Sequence, residues 1–253
     1  MRWTYRIGRL FGFPIEINVS FLVLLVVIFL TMGGAAGVLT VLLAFGSVLL
    51  HELGHALTAR RLGVPIAGIE LNFFGGAAKM TRLPRSPRDE IVIAAAGPAV
   101  SLALGALGLG VGMLTGWSFA LLIGTINVVL GVFNLLPALP MDGGRILRAA
   151  LARRRGFARA TSAAVSVSRV FSVLFGVVGV VTGHFQLAVL ALVLWAMASQ
   201  ERRVAAMMGG YDAGDDAVEV LRPASVVGAG GPLPGRVYMV RDPWGRVQIR
   251  FVG

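Results

Sequence analysis

The sequence predicts an all-α integral membrane protein with six transmembrane helices, and composition is the first reason. Hydrophobic residues make up 57% of the 253 residues, charged residues make up 14%, and the mean hydropathy is +0.82. Soluble domains contain about 45–50% apolar and about 25% charged residues. The composition therefore excludes an ordinary soluble enzyme, and the high hydrophobicity excludes a disordered chain.

The apolar residues are the second reason, because they form separate stretches that approach the roughly 20 residues needed to cross a bilayer. The six stretches have approximate bounds 17–32, 38–59, 91–114, 119–136, 165–181 and 185–197. The first is not expected to be a cleaved signal peptide, because Glu16 precedes it and no clear small-residue cleavage site follows.

The basic residues indicate the orientation of these spans. Three Lys or Arg residues precede the first span, six lie in 60–88, seven lie in 145–169, and seven follow the sixth span. The connections 33–37, 115–118 and 182–186 carry no charge. With six spans, all four basic groups fall on one side, which the positive-inside rule identifies as the cytoplasm. We therefore expect a multi-pass protein of the cell membrane, with both termini cytoplasmic and no nucleic-acid partner.

The chain divides into a six-span domain, 1–203, and a small cytoplasmic tail, 204–253. The tail has an acidic patch within 212–219 and a Gly/Pro-rich loop at 228–235. Alternating residues in 236–241 and 246–252 flank a turn and predict a β-hairpin. The chain has no cysteine, which excludes disulfides and thiolate metal sites.

The second apolar stretch ends in the sequence HELGH, which starts at His51. Ionisable side chains inside a membrane helix are costly and mark functional sites. His51 and His55 lie one turn apart, so both imidazoles can bind one metal ion. Glu52 is rotated by about 100° from His51. There it can accept a proton from a zinc-bound water, whose pKa is about 7, without being a ligand.

A less specific interpretation remains open for this motif. The histidines would lie near a membrane interface, and Glu52 would pair with a nearby arginine such as Arg60. The cost of intramembrane charge favours the metal site. A helical rise of 1.5 Å per residue puts His51 about 13 Å and His55 about 8 Å from Arg60, inside the bilayer near its cytoplasmic face.

A catalytic zinc ion usually has three protein ligands, and Asp142 is the favoured third one. His184 is disfavoured because it lies in an uncharged connection on the external side. Asp142 lies on the cytoplasmic side, after Pro137 and Pro140 have ended the fourth helix. In an alternative role, Asp142 would be the N-cap of an amphipathic helix at 146–155.

Together, HELGH and NLLPALPMDGGR (134–145) resemble the site-2 protease family of intramembrane zinc metalloproteases, peptidase family M50. The resemblance covers roughly residues 9–203 and includes GRLFG at 8–12 and Gly97-Pro98. Met141 stands where the family usually has Leu. The resemblance implies one Zn²⁺ per chain on His51, His55 and Asp142. It further implies Glu52 as general acid/base and Asn134 as a supporting residue near the zinc.

The segment 64–80 permits two interpretations. It is either a surface hairpin at the membrane interface or, as the resemblance implies, a re-entrant β-like loop beside the site. The second favours Gly75 and Gly76 as substrate-binding positions, because a substrate must be unwound and held extended, which pairing with a strand edge achieves. Some relatives contain a PDZ domain or paired CBS domains, and neither is expected here.

The expected function is zinc-dependent hydrolysis of a peptide bond in or near a transmembrane helix, close to the cytoplasmic face, as in regulated intramembrane proteolysis. The expected partners are a transmembrane protein substrate and the lipid bilayer. The main rival is a metal transporter or a non-catalytic membrane adaptor. A transporter would show internal repeats or charges along several spans, and this sequence has neither pattern.

Overall fold

The computed structural model describes residues 4–31, 34–73, 75–82, 84, 86–213, 236–241 and 247–252. Within them the chain forms seven helices and six strands. The helices are α1 Val19–Thr31, α2 Ala35–Arg61, α3 Pro87–Thr115, α4 Ser118–Asn134, α5 Asp142–Arg155, α6 Phe157–Val181 and α7 Phe185–Ala213. The strands are β1 Thr4–Leu10, β2 Phe13–Asn18, β3 Ile66–Asn72, β4 Gly75–Met80, β5 Arg236–Arg241 and β6 Val247–Val252.

The described residues of the six predicted apolar stretches are helical, apart from 17 and 18, which precede α1, and 135 and 136, which follow α4. Across the described residues, three helical segments are long and apolar enough to cross a membrane: Ala35–Arg61, Pro87–Thr115 and Arg159–Val181. The helices α1 and α4 are apolar but shorter, with 13 and 17 residues. The helix α6 begins eight residues before the predicted fifth stretch, and α7 ends sixteen residues after the predicted sixth.

A four-stranded sheet extends the β-structure predicted at 64–80 to the N-terminal part of the chain, where no strand is predicted. The strand order is β1-β2-β3-β4, with β2 parallel to β3 and the other pairs antiparallel. The β1–β2 hairpin turns at Phe11 and Gly12, which both have positive φ angles. Residues 17 and 18, assigned by hydropathy to the first span, belong to β2. The strand β4 forms one edge of the sheet.

The sheet packs on the half of α2 that carries HELGH. Phe13, Ile15 and Ile69 from the sheet form a buried cluster with Leu53 and Ala56 of α2. This packing fixes β4 beside Glu52, the half-buried residue of the motif.

An ion-pair cluster joins three strands of the sheet. Lys79 Nζ on β4 lies 2.7 Å from Glu16 Oε2 on β2 and 2.6 Å from Glu70 Oε2 on β3. Asn18 Nδ2 donates a hydrogen bond of 3.0 Å to Glu70 Oε1. Burial lowers the pKa of Lys79, but the hydrogen bonds to the two carboxylates outweigh this effect and raise it.

Glycines allow the helices α2, α3 and α4 to pack closely. A Cβ at Gly54 would lie 2.9 Å from the carbonyl oxygen of Ala96, and one at Gly108 would lie 2.8 Å from Gly124 Cα. Small residues at helix contacts are the usual means of association in membranes. Ser86 caps α3 by accepting a hydrogen bond of 3.1 Å from the Asp89 backbone N–H.

A buried ion pair connects α3, α5 and α7 near the basic end of α5. Arg148 donates to Glu90 Oε1, and its Nη1 lies 3.2 Å from Glu201 Oε2. In the tail, β5 and β6 pair antiparallel at the residues where the sequence predicts a hairpin. The predicted turn at 242–245, the loop at 228–235 and the acidic residues 215–219 lie outside the described residues.

Candidate metal centre

Three side-chain atoms converge where α2 meets the first turn of α5. His51 Nε2, His55 Nε2 and Asp142 Oδ2 lie 3.1 Å from one another in all three pairs. All three residues are buried. The two histidines come from one face of α2, as their spacing predicts, and Asp142 comes from the first turn of α5.

Hydrogen bonds to the other ring nitrogens orient both imidazoles. His55 Nδ1 lies 2.6 Å from the carbonyl oxygen of Ile93, which can only accept, so His55 carries its proton on Nδ1. His51 Nδ1 lies 2.9 Å from Ser101 Oγ, which can accept in the same way. Both Nε2 atoms then present lone pairs toward Asp142. Outer hydrogen bonds of this kind commonly orient metal-binding histidines.

Gly97 supplies the space that the histidine rings occupy. A Cβ at this position of α3 would lie 2.2 Å from His55 Nε2 and 2.6 Å from His51 Nε2. No side chain fits at those distances. Ile93, Gly97 and Ser101 follow one another at intervals of four residues, so one face of α3 forms the floor of the site.

Two glycines hold the Asp142 backbone against the loop that precedes it. A Cβ at Gly143 would lie 2.2 Å from the Leu135 carbonyl oxygen, and one at Gly144 would lie 2.4 Å from the Leu139 backbone nitrogen. The loop 135–141 therefore folds back tightly over the start of α5. This close approach directs Asp142 toward α2.

The alternative role for Asp142 is wrong. Asp142 is the first residue of α5, Met141 is the N-cap, and no side chain caps this helix end. His184 lies in the α6–α7 turn, where its Nδ1 is 2.8 Å from Thr182 Oγ1.

Glu52 lies beside His51, His55 and Asp142, but its carboxylate is hydrogen-bonded to the sheet. Its carboxylate comes within 4.8 Å of the histidine donor atoms, farther than Asp142. Glu52 Oε2 accepts a hydrogen bond of 2.9 Å from the Ala78 backbone N–H of β4. Arg60, the alternative partner for Glu52, donates to the Phe11 carbonyl oxygen at 2.7 Å and lies over the Phe13 ring.

A cavity of about 480 Å³ opens onto these groups. Its walls come from β4, the α4–α5 loop and α7, and include Gly76, Asn134, Asp142 and Leu194. Asn134 Nδ2 donates to the Leu130 carbonyl oxygen at 2.9 Å, so its Oδ1 is the group available toward the cavity. A Cβ at Gly76 would lie 2.7 Å from Glu52 Cγ. Gly75 begins β4 at φ +131, and a Cβ there would meet nothing within 4 Å.

The donor set fits a zinc ion. Two imidazole nitrogens and one carboxylate oxygen are common zinc ligands in catalytic sites, which leave a fourth position open. Tetrahedral ligands at about 2.0–2.1 Å from zinc are about 3.3 Å apart, close to the separations found here. Without a cation, two lone pairs and a carboxylate oxygen would face one another at 3.1 Å.

Several groups of the site were not singled out from the sequence. They are the Ile93 carbonyl, Ser101, the Ala78 N–H, and Leu190, Val193, Leu194 and Met197 of α7. Ser101 had a usable signal, since it is a polar residue in an apolar span, eight residues after Ile93. The backbone groups had none, because every residue carries them.

Comparison with known proteins gives a family match. The family model described as peptidase family M50 matches residues 39–118 and 113–175, which include HELGH and Asp142. A zinc metalloprotease of Methanocaldococcus jannaschii is 34% identical over 212 residues, which cover 81% of this chain and 62% of that protein. The protein Rip3 of Mycobacterium tuberculosis is 36% identical over 232 residues, which cover 79% of this chain and 59% of that protein.

A solved structure extends the likeness to three dimensions. The site-2 protease from Methanocaldococcus jannaschii aligns with a TM-score of 0.64 and 33% identity, over 79% of this chain and 95% of that one. The chain spans about three fifths of the length of the two curated relatives above.

Proposed function

Because the chain belongs to peptidase family M50, we propose that it is an intramembrane zinc endopeptidase of the site-2 protease type. Its substrate is a membrane protein, cleaved in or near a transmembrane helix, close to the cytoplasmic face. The observation that carries this proposal is the convergence of His51, His55 and Asp142 at 3.1 Å, with Glu52 beside them. The relatives named as zinc metalloproteases support the same chemistry.

One zinc ion per chain is held by His51, His55 and Asp142. When bound there, zinc polarises the carbonyl of the peptide bond and lowers the pKa of water to about 7. The hydrogen bonds from Nδ1 of each histidine to the Ile93 carbonyl and Ser101 keep Nε2 free for this role. Gly97 keeps the space between α2 and α3 open for it.

Glu52 acts as the general acid/base. Hydrolysis adds a hydroxyl to the carbonyl carbon and a proton to the amide nitrogen as the C–N bond breaks. Glu52 takes the proton from water and returns it to the leaving nitrogen, a role worth about 10²–10⁴-fold in rate. The Ala78 N–H holds Oε2, so Oε1 remains for the proton.

The strand β4 is the proposed binding edge for an extended substrate. It pairs with β3 on one side and faces Glu52 with the other. A peptide bond inside a helix is shielded by its own turn, so the substrate must unwind before hydrolysis. The backbone near Gly76 approaches Glu52 closely, and Asn134 lines the same cavity. Main-chain pairing to β4 would hold the unwound segment over the site.

The proposed topology has six spans, with both termini in the cytoplasm of a cell that carries the protein in its cell membrane. The family and the three long apolar helices support a membrane protein. Arg60 and Arg61 end α2 five and six residues after His55, which puts basic residues at the end of α2 nearest the site. The positive-inside rule assigns this end to the cytoplasm. Cleavage near that face would release a cytoplasmic fragment, as regulated intramembrane proteolysis requires.

The test uses the full chain purified in detergent. Zinc is measured by elemental analysis, and cleavage is followed with single-span fusion proteins and with short peptides of the same sequence. We expect about one zinc per chain. Glu52→Gln should retain the metal and lose about 10²–10⁴-fold in activity. A zinc chelator should abolish activity, and added zinc should restore it.

Two outcomes would overturn the proposal. A wild-type protein without bound zinc at neutral pH would remove the metal chemistry. A Glu52→Gln variant that cleaves at the wild-type rate would remove Glu52 from the reaction. A reporter fused after Arg203 tests the topology separately, because an external location contradicts six spans.

A further inference from the structure

A second concave surface lies between α2 and α4. It is a groove of about 370 Å³ whose lining includes Ala44, Val48, Ile126, Val129, Leu130 and Phe133. Thr125 also lines it, but its hydroxyl donates to the Leu121 carbonyl oxygen of its own helix at 2.8 Å. The lining therefore offers only apolar contacts to a ligand.

The groove adjoins the catalytic cavity, since Phe133 lines both of them. On α2, Val48 lies one turn before Glu52, and a Cβ at Gly76 would be 2.9 Å from Val48 Cγ1. Ala44, Val48 and Glu52 are spaced by four residues, so the groove wall and Glu52 share one face of α2. The groove thus begins where β4 passes over Glu52.

We propose that this groove binds the part of the substrate's transmembrane helix that stays helical, while the adjoining residues lie extended along β4. The inference rests on the proposed function, because it names a binding site for the same substrate. A ligand that fills both the cavity and the groove must change from extended to helical at Val48.

The depth of the groove agrees with an intramembrane ligand. Counting from Arg60, Val48 lies about 18 Å and Ala44 about 24 Å along the axis of α2, well beyond the histidines. A ligand at that depth is surrounded by lipid and must satisfy its own backbone hydrogen bonds, which a helix does. The groove admits one ridge of side chains from such a helix rather than the whole helix. Affinity would come from close packing, since lipid tails are equally apolar.

Cross-linking tests this placement directly, because the chain contains no cysteine. Val129→Cys places a single thiol in the groove, in a Glu52→Gln background that leaves the substrate intact. The partner is a single-span fusion protein that the wild type cleaves. It carries one cysteine about four to eight residues from the scissile bond. Val48 and Ala44 lie four and eight residues from Glu52 along α2, so a substrate helix beside α2 would bring that cysteine to the groove. The matched control is Leu107→Cys on α3, since Leu107 is 65% exposed and Val129 is 60% exposed. We expect a disulfide with the substrate at position 129 and none at 107.

Filling the groove gives the second test. Val129→Trp should lower cleavage of the single-span substrate about tenfold or more. It should leave the zinc content within about twofold of wild type. Cleavage of a short soluble peptide with the same scissile bond should also stay within about twofold, because the peptide lacks the helix that the groove binds. Leu107→Trp adds the same side chain on α3 and should leave both activities unchanged.

The outcomes separate this inference from the proposed function. Equal cross-linking at 129 and 107, or unchanged cleavage of the single-span substrate by Val129→Trp, would overturn the groove assignment while peptidase activity stands. Cross-links only between two copies of this chain would assign the groove to self-association and overturn it as well. If the wild type cleaves neither substrate, the proposed function fails and this inference fails with it.

Discussion

The backbone N–H of Ala78 donates a hydrogen bond of 2.9 Å to Glu52 Oε2. This contact joins the edge strand β4 to the carboxylate that lies next to the histidine pair. The side chain therefore has one oxygen fixed by the sheet and one oxygen free. The orientation of Glu52 depends on the strand along which we place the substrate.

Ala78→Pro removes this N–H. The N–H points at Glu52 rather than at β3, so the substitution should leave the β3–β4 hydrogen bonds in place. A hydrogen bond to a charged group contributes about 1.5–3 kcal/mol, so we expect kcat to fall about 10–100-fold with zinc retained. Ala78→Gly keeps the N–H and serves as the control in the same peptidase assay. Wild-type kcat in a zinc-loaded Ala78→Pro protein would contradict the role of this bond.

Gly97→Ala should abolish zinc binding. The added methyl group would lie 2.2 Å from His55 Nε2, so the rings must move apart or α3 must shift. The same change at Gly110, also in α3, places a Cβ with nothing within 4 Å. Elemental analysis of both purified variants should find zinc in Gly110→Ala and not in Gly97→Ala. Equal zinc content would mean that α3 does not form the floor of the metal site.

Ser101→Ala should weaken zinc binding without removing a ligand. The hydroxyl accepts from His51 Nδ1 at 2.9 Å and so fixes the ring. Loss of such an outer partner lowers metal affinity about 10–100-fold. Ser166→Ala is the control, because that hydroxyl donates only to the Ser162 carbonyl oxygen of its own helix. Competition with a chromophoric chelator measures both affinities, and equal values would show that Ser101 does not orient His51.

Arg148→Met should destabilise the fold. It leaves Glu90, whose side chain is 2% exposed, without its cationic partner. Removing one member of a buried ion pair costs about 3–5 kcal/mol of unfolding free energy. The double variant Glu90→Gln/Arg148→Met removes the stranded charge and should recover at least half of that loss. Thermal unfolding in detergent gives the comparison, and a double variant as unstable as the single one would contradict this account.

The contribution of Lys79 to stability should vanish only at alkaline pH. Its pKa is raised in the fold, so the stabilisation is complete below the unfolded pKa of about 10.4 and is lost as the pH rises through the folded pKa. The side chain is 31% exposed, so the effect is below about 1 kcal/mol. The stability difference between wild type and Lys79→Met should stay constant from about pH 7 to 9.5 and then shrink. Lys79→Arg should keep its ion pairs at high pH, because guanidinium does not deprotonate there.

Local geometry accounts for the part of the site that was predictable. Four-residue spacing on a helix brings His51 and His55 together whatever surrounds them. Asp142 required a second argument, because it is distant in sequence and only the charge distribution places it on the same side of the membrane. The contacts of Ile93 and Ser101 depend on the rotation of α3 against α2. Close packing at Gly54 and Gly97 sets that rotation, and hydropathy does not record it.

The fold, like the site, has a part that the sequence predicts and a part that it does not. Hydropathy located all six apolar helices, because length and composition decide whether a segment suits a bilayer. It missed the β1–β2 hairpin, whose residues directly precede the first span. The partner of β2 is β3, where Ile15 pairs with Ile69. Pairing between strands that are distant in sequence produces no pattern in either strand, so it cannot be inferred from the sequence.

The distance along the chain between the metal donors has a consequence for the life of the protein in a cell. Asp142 follows His51 by 91 residues and His55 by 87. An ion that binds all three closes a long loop, and for a covalent cross-link such closure is worth up to about 4–5 kcal/mol. Binding that occurs only in the native state adds to stability in proportion to the logarithm of free metal concentration. Scarcity of zinc would then lower the amount of this protein through quality-control degradation, as well as its turnover number.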